Sequence, residues 1–533
     1  MNRAPALLHH WPLATDARDL TGACHGEPQG VHFGVDGPSG LGAARFDGRS
    51  ATISFSQAGR LPATGDFTLC LRVRPAATLD DPAGEFFSQW DAVNRCGLQV
   101  GLLAHSGVTC AQPNGRQLYA GLDSGTVPQV RPLGRPGNAV YVMGLCSHEG
   151  GLYAATYEAG AGEVGHVYRH DGTTWHDCGF PGQANAVAGI AVCNGSLYAG
   201  SCRYDAGGSA LDASTNQSPG GRVYRYQGGS EWVDCGELPG AAEVLALCVW
   251  RDELYAIPLY TAGVFKYDGA MGWVDCGVPG NRRAFAIGVH HGHLYVASNA
   301  GPVDAPRETW RSAVFRYEGG QSWTDCGPQG DNTQTYSLVT WQGVLHAGTW
   351  PDGSLWRHEG GAEWSNAGRL GNERELMPAM VYNGALYAGT LPLGQLWRYE
   401  DNARWSLVAR LDQTPNVKYR RLWSMAVHRG ELCCGMLPSG EVHTVRAGAC
   451  VSDSAELGGG WQHLAVTRRG DELALYLNGV CRGTSTGADL DLTSDAPLHL
   501  GFGQHDFFAG DLADVRIYDG ALDDDGIRQL AHD

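Results

Sequence analysis

From residue 140 onward, apolar and polar positions alternate in short stretches separated by glycine-rich turns. That is the period of half-buried strands, not of helices. The stretches recur in a fixed order: an apolar strand ending in a polar turn, a strand such as GSLYAGS, a loop, a strand such as RVYRYQGG, and a last strand such as EWVDCG. The second strands begin near Leu152, Leu197, Leu254, Leu294, Leu345, Leu386 and Leu432, and the third carry Tyr168, Tyr224, Phe265, Phe315, Trp356, Trp397 and His443. The last strands carry Trp175, Trp232, Trp273, Trp323, Trp364 and Trp405, so seven units begin but only six end.

Four short strands in about 35–50 residues is the pattern of a β-propeller blade in the WD40 and kelch length range. The pattern predicts a seven-bladed propeller over residues 126–447. Its seventh unit stops after EVHTVRAG without a fourth strand, whereas TVPQVRPLGRPGN, ahead of the first unit, matches a fourth strand and its exit loop. Residues 128–134 are therefore expected to complete the seventh blade, a closure that removes open sheet edges.

The flanking segments are patterned too. Residues 1–125 contain HHWPL, ARFDGRSATISF, FTLCLRVRP and FFSQWDAVNRCGLQVGLL; residues 448–533 contain WQHLAVTRRGDELALYLNGVCRG and GFGQHDFFAGDLADVRIYDGALDDDGIRQL. These phrases resemble, in order, the two halves of a laminin-G-like, concanavalin-A-type jelly roll. The expected fold is all-β, with the propeller inserted into a jelly-roll loop. A closed propeller brings its first and last strands side by side, a geometry that tolerates insertion.

Composition narrows the function. At about 150 residues per domain the 533 residues suggest three or four domains. The repeat reduces this to two, and blade turns account for most of the 77 glycines. A net charge of −18 without basic clusters disfavours nucleic acid. No run of about 20 apolar residues occurs, so no membrane span is expected. The start, MNRAPALLHHWPLATDARDL, has no basic segment leading into an apolar one. The expectation is a cytoplasmic protein, or a secreted or periplasmic one whose leader has been removed. The 16 cysteines include no C-x-x-C pair, which argues against zinc ribbons and redox motifs and for small buried thiols.

Nucleophile-elbow, H-E-x-x-H, Walker and EF-hand motifs are absent. Asp523, Asp524 and Asp525 read as the charged start of a terminal helix. The jelly-roll resemblance implies a structural calcium ion near a rim, with Asp506 or Asp511 as ligands, although no complete oxygen cage is visible; no other cofactor is expected. His148, His290, His291, His293 and His428 fall at turns on the side of a propeller opposite its usual binding surface.

Propeller sites form where the loops entering first strands and the loops joining second to third strands converge. In an acidic chain, those loops hold Arg203, Arg282, Arg283, Arg307, Arg311, Arg374, Lys418, Arg420 and Arg421. Two of the loops are long, from Ser201 to Gly221 and from Asn299 to Ser312. Planar guanidinium groups suit carboxylate or sulfate, and interleaved aromatic faces suit sugar rings, so the expected partner is an acidic glycan. Arg203, Tyr157, Tyr260, Arg307, Trp310, Trp350, Arg374 and Tyr419 are the candidate binding residues.

Two chemistries fit a catalytic mouth. β-Elimination at a uronate pairs Arg283 or Arg421, neutralising the carboxylate, with Tyr204 or Tyr336 as base. The chain resembles propeller polysaccharide lyases in architecture only; what favours that reading is that arginine and tyrosine are plentiful at the mouth and histidines are not. A glycoside hydrolase would use two carboxyls, Glu243 with Glu375 or Asp205. The alternatives are a non-catalytic glycan-binding protein and a kelch-like interaction scaffold. The competing structural reading has the loop arginines paired with Glu243, Glu375, Asp205 and Asp352.

Overall fold

The computed structural model describes residues 5–22, 24–55, 61–77, 84–103, 115–160, 162–299, 301–302 and 304–533. Seven four-stranded antiparallel blades surround an axis, their innermost strands being Ala139–His148, Ala186–Cys193, Ala246–Trp250, Ala284–His290, Gln334–Trp341, Glu375–Tyr382 and Arg421–His428 for blades I to VII. The fourth strand of blade VII is Gln129–Gly134, antiparallel to Val442–Arg446 with Gln129 opposite Arg446 and Val130 opposite Val445.

The repeated W-x-D-C-G segment ties adjacent blades together. Nε1 of Trp232, Trp273, Trp323 and Trp364 donates to the carbonyl of Cys178, Cys235, Cys276 and Cys326 in the preceding blade, at 2.8, 3.1, 2.8 and 2.7 Å. Within each segment the aspartate turns back: Asp234 Oδ1 accepts from Gly236 N at 2.8 Å, and Asp275 Oδ1 from Gly277 N at 2.7 Å. Gly236 has φ +92° and a Cβ there would meet the Met271 carbonyl at 1.9 Å, so only glycine fits against the next blade. The described cysteines are buried apart from the exposed Cys481, and no disulfide joins them.

The jelly roll packs two sheets over a core that includes Trp11, Phe55, Phe67, Phe86, Phe87 and Phe508. One sheet runs His32–Asp36, Gly42–Asp47, Ala509–Asp519, Phe67–Pro75, Gln462–Arg469, Glu472–Leu477 and Val480–Thr486. The other runs Glu27–Gln29, Thr52–Phe55, Leu498–Leu500, Gly84–Asp91, Cys96–Leu103, Gln117–Ser124 and Ala449–Glu456. Both sheets interleave strands from before and after the propeller. The strand leading into it, Gln117–Ser124, pairs with the strand leaving it, Leu122 lying opposite Ala449. Asp523 caps the terminal helix Asp524–His532, its side chain accepting from Gly526 N.

The jelly roll docks on the propeller face formed by the turns between first and second strands. Gln342 N donates to Gln504 O at 2.9 Å, Asn383 Nδ2 to Leu122 O at 3.1 Å, and Gly430 N to Ser452 Oγ at 2.8 Å. Tyr119 and Leu103 of the jelly roll share one apolar cluster with Tyr382, Tyr387 and Val427 of the propeller. Among the described residues, the opposite face, where the first strands begin, stays clear of the second domain.

Candidate functional site

At that clear face, six of the seven inner strands carry a β-bulge near their start. A bulge inserts one unpaired residue and re-aims its side chain. The bulges fall at Met143, Ala188, Phe285, Tyr336, Met377 and Trp423, and with Leu245 of blade III these residues form one buried cluster. Phe285 stacks edge-on against Tyr336 at 4.5 Å and reaches Trp423 at 6.2 Å, so aromatic rings plug the channel. Two residues earlier in each strand stands a second, mostly polar ring: Tyr141, Ala186, Glu243, Arg283, Gln334, Glu375 and Arg421.

Four of the six catalytic candidates meet on this plug. Arg421 Nε lies 3.2 Å from Glu375 Oε1, and Arg421 Nη1 donates to Ser209 Oγ at 2.8 Å. Tyr204 hydroxyl bonds the same Ser209, and Tyr336, bonded to Gln334, neighbours Glu375 and Arg421. The cluster is covered by the long loop of blade II, whose 3-10 turn Ala206–Ser209 crosses the mouth from blade II to blade VII. Ser209 and Gln334 have no distinguishing signal in the sequence beyond the length of the loop that carries Ser209.

Burial sets the electrostatics. It pushes the phenols of Tyr204 and Tyr336 above their ordinary value, so both stay protonated near neutrality and neither is a ready base. Burial also raises the Glu375 carboxyl, against the opposing pull of Arg421. For Arg421 burial works against the charge, yet Glu375 and the surrounding tyrosines hold its pKa above the usual arginine value.

Glu243 requires a correction. It is buried, and its carboxylate accepts from Tyr260 N, Thr261 N and Thr261 Oγ1 at 2.9, 2.9 and 3.0 Å and from Ala242 N at 3.0 Å. Those bonds fix the loop of blade III and hold the buried carboxylate on backbone and hydroxyl donors, a structural role in place of the catalytic one expected. Tyr157 is likewise 2% exposed and packs on Tyr204, out of reach of a ligand on the rim.

The remaining candidates divide by partner. Arg311 pairs with Asp331 at 2.9 Å, Arg420 donates to Thr414 O at 2.7 Å, Arg282 bonds the Arg311 carbonyl, and Arg283 donates to Asn299 Oδ1 at 2.8 Å. Among the described residues none of these four pairs with Glu243, Glu375, Asp205 or Asp352; their partners are Asp331, Asn299 and backbone carbonyls. Arg203, Arg307, Arg374 and Lys418 are exposed and have no carboxylate partner among the described residues. Three of them lie over aromatic rings: Arg374 over Trp350 at 5.5 Å, Arg307 over Trp310 at 5.5 Å and Lys418 over Tyr419 at 4.7 Å. Arg283 sits 6.0 Å over Tyr260, whose ring is 42% exposed.

The calcium expectation is also corrected at Asp511. Arg45 Nε reaches Asp511 Oδ1 at 2.8 Å and Arg74 Nη2 reaches Oδ2 at 2.8 Å, so both oxygens are occupied by guanidinium groups. Asp506 faces His291 instead, with Oδ1 3.0 Å from Nε2, a nitrogen-bearing neighbourhood unlike the all-oxygen shell calcium takes. One match to the letters G-x-S-x-G, Gly483 to Gly487, runs along the edge strand Val480–Thr486 with no helix following, so it is not a nucleophile elbow.

No helix among the described residues is long and apolar enough to cross a membrane. No curated protein matches the chain. Among solved structures, a streptogramin B lyase is 11% identical, covering 60% of this chain and 98% of its own at a TM-score of 0.46. A virginiamycin B lyase from Staphylococcus aureus is 8% identical, with 60% and 99% covered at 0.45. The WD40 β-propeller domain of Doa1 is 10% identical, with 60% and 97% covered at 0.42. Residues 437–528 match the Laminin_G_3 model of the concanavalin A-like lectin/glucanases superfamily, and the chain as a whole combines a jelly roll of that type with a β-propeller.

Proposed function

We propose that the protein binds an acidic glycan across the open rim of the propeller. The observation that carries this reading is the set of exposed cations without carboxylate partners, Arg307, Arg374 and Lys418, each laid over an aromatic ring in a chain of net charge −18. Such a pair offers a charge for a carboxylate or sulfate beside a flat apolar face for a sugar ring. A protein scaffold is less well served, since an apolar rim is what a protein partner would need.

A second reading, β-elimination at a uronate, draws support from the convergence of Arg421, Glu375, Tyr336 and Tyr204 under one short turn. In that reaction a base takes the proton beside the carboxylate, its electron pair forms the new double bond, and the glycosidic oxygen leaves protonated. With the Ala206–Ser209 turn in place, the four groups are buried and closed to a polymer. Elimination therefore requires that turn to move.

Incubation with a panel of uronate-containing and sulfated polysaccharides tests both. Saturable binding that weakens with salt supports the rim reading, and new absorbance from an unsaturated uronate adds the second. Absence of binding across the panel would overturn the proposal.

A further inference from the structure

On the docked face, away from the mouth, histidines of the propeller meet a buried carboxylate of the jelly roll. His290 ends the inner strand of blade IV, and His291 and Gly292 make the turn that follows it, with φ of +46° and +75°. Most blades place Asn, Gln, Glu or Arg before glycine there, as at Asn194, Gln342, Glu149 and Arg429. Here the turn holds imidazole rings, stacked at 3.9 Å, against Asp506.

We propose that His290, His291 and Asp506 bind a divalent transition-metal ion of the zinc class, clamping the propeller to the jelly roll. One ring nitrogen from each histidine and one Asp506 oxygen lie within 4.8 Å of one another. Two imidazoles and a carboxylate suit zinc and its first-row neighbours, whereas calcium and magnesium prefer oxygen alone.

A second observation comes from the carboxylate. Asp506 is fully buried; its Oδ1 takes His291 and the Phe507 amide, but its Oδ2, also buried, has no hydrogen-bond partner. Beside it lies Glu85, also fully buried, which accepts from His505 N at 3.0 Å and from Asp506 N at 3.4 Å. Two neighbouring carboxylates far from water are costly unless a cation offsets them. Glu85 is satisfied by His505 Nδ1 at 2.6 Å and by Tyr119 hydroxyl at 2.6 Å, which leaves Asp506 as the oxygen donor in need.

The ligands are held in place. Thr340 Oγ1, 3.0 Å from Nδ1, fixes the His290 ring and leaves Nε2 as its other ring nitrogen. His291 also lines a groove of about 640 Å³ between the domains, so its ring is reached from solvent.

The test uses the full-length chain after chelator treatment, titrated with Co(II) and then Zn(II). The expected result is one equivalent bound per chain, with a visible cobalt spectrum free of thiolate charge-transfer bands, displaced by zinc and indifferent to calcium. Asp506→Asn and His291→Gln should each weaken binding by at least about 100-fold, because outer-shell changes alone cost roughly 10–100-fold. His291 is partly exposed, so its variant keeps the test valid if the buried Asp506 variant fails to fold. No uptake by the native chain, thiolate bands, or unchanged affinity in His291→Gln would overturn the proposal.

Discussion

The two ends of the same inner strands have opposite chemistry. Where the strands begin, Arg421 and Glu375 pair on an aromatic plug, ringed by exposed cations. Where they end, the turns lie against a second domain, and His290, His346 and His428 are buried there. A β-strand exposes both its termini in a propeller, so the fold alone does not choose which face is used. The insertion chooses it: because the chain enters and leaves through paired jelly-roll strands, one face is covered and the other stays open.

The largest expected effect comes from breaking the plug. Arg421→Ala leaves Glu375 buried without its ion-pair partner and should cost about 3–5 kcal/mol in chemical denaturation. Replacing both residues by apolar side chains of similar volume should restore most of that loss.

Acid should act on the other face. Burial lowers the pKa of His428 to about 3 and of His346 to about 4, against about 6.5 in the unfolded chain. Their folded values are depressed, so the stability they contribute is complete above pH 6.5 and is lost as pH falls toward the folded values. For His428 alone the loss by pH 4 is roughly 3 kcal/mol. Unfolding midpoints measured from pH 7 to pH 4 should fall, and His428→Gln should flatten that dependence.

A blade junction, which belongs to neither face, provides the control. Trp364→Phe removes the bond to the Cys326 carbonyl while keeping the ring, for about 1 kcal/mol. The smallest stability effect belongs to the rim: Arg374→Ala should change stability by less than about 0.5 kcal/mol. The same variant should weaken binding of an acidic glycan by roughly 5-fold, the equivalent of about 1 kcal/mol.

These contrasts also mark what sequence carries. The blades were legible because W-x-D-C-G recurs with its tryptophan in register, and TVPQVRPLG could be matched to a missing fourth strand for the same reason. The mouth was legible as a set of loops. Which of its charges are free was not, since Glu243 is consumed by backbone amides of Tyr260 and Thr261 and Arg311 by Asp331, choices fixed only when loops pack. The crossing of Ser209 from blade II to Arg421 of blade VII joins residues 212 positions apart, with no local pattern to announce it. His290 and His291 read as turn residues on an unused face, because their partner, Asp506, lies 215 positions beyond His291 in the other domain.

The central claim is that the rim cations, and not the jelly roll or the buried plug, hold an acidic glycan. The direct measurement is binding of sulfated or uronate-rich polysaccharide, and of its neutral counterpart, to the native chain and to a variant with Arg203, Arg307, Arg374 and Lys418 all replaced by alanine. The account predicts salt-sensitive binding of the acidic polymer only, lost in a variant that unfolds at the native midpoint. Equal binding of the neutral polymer, or undiminished binding by the variant, would contradict it.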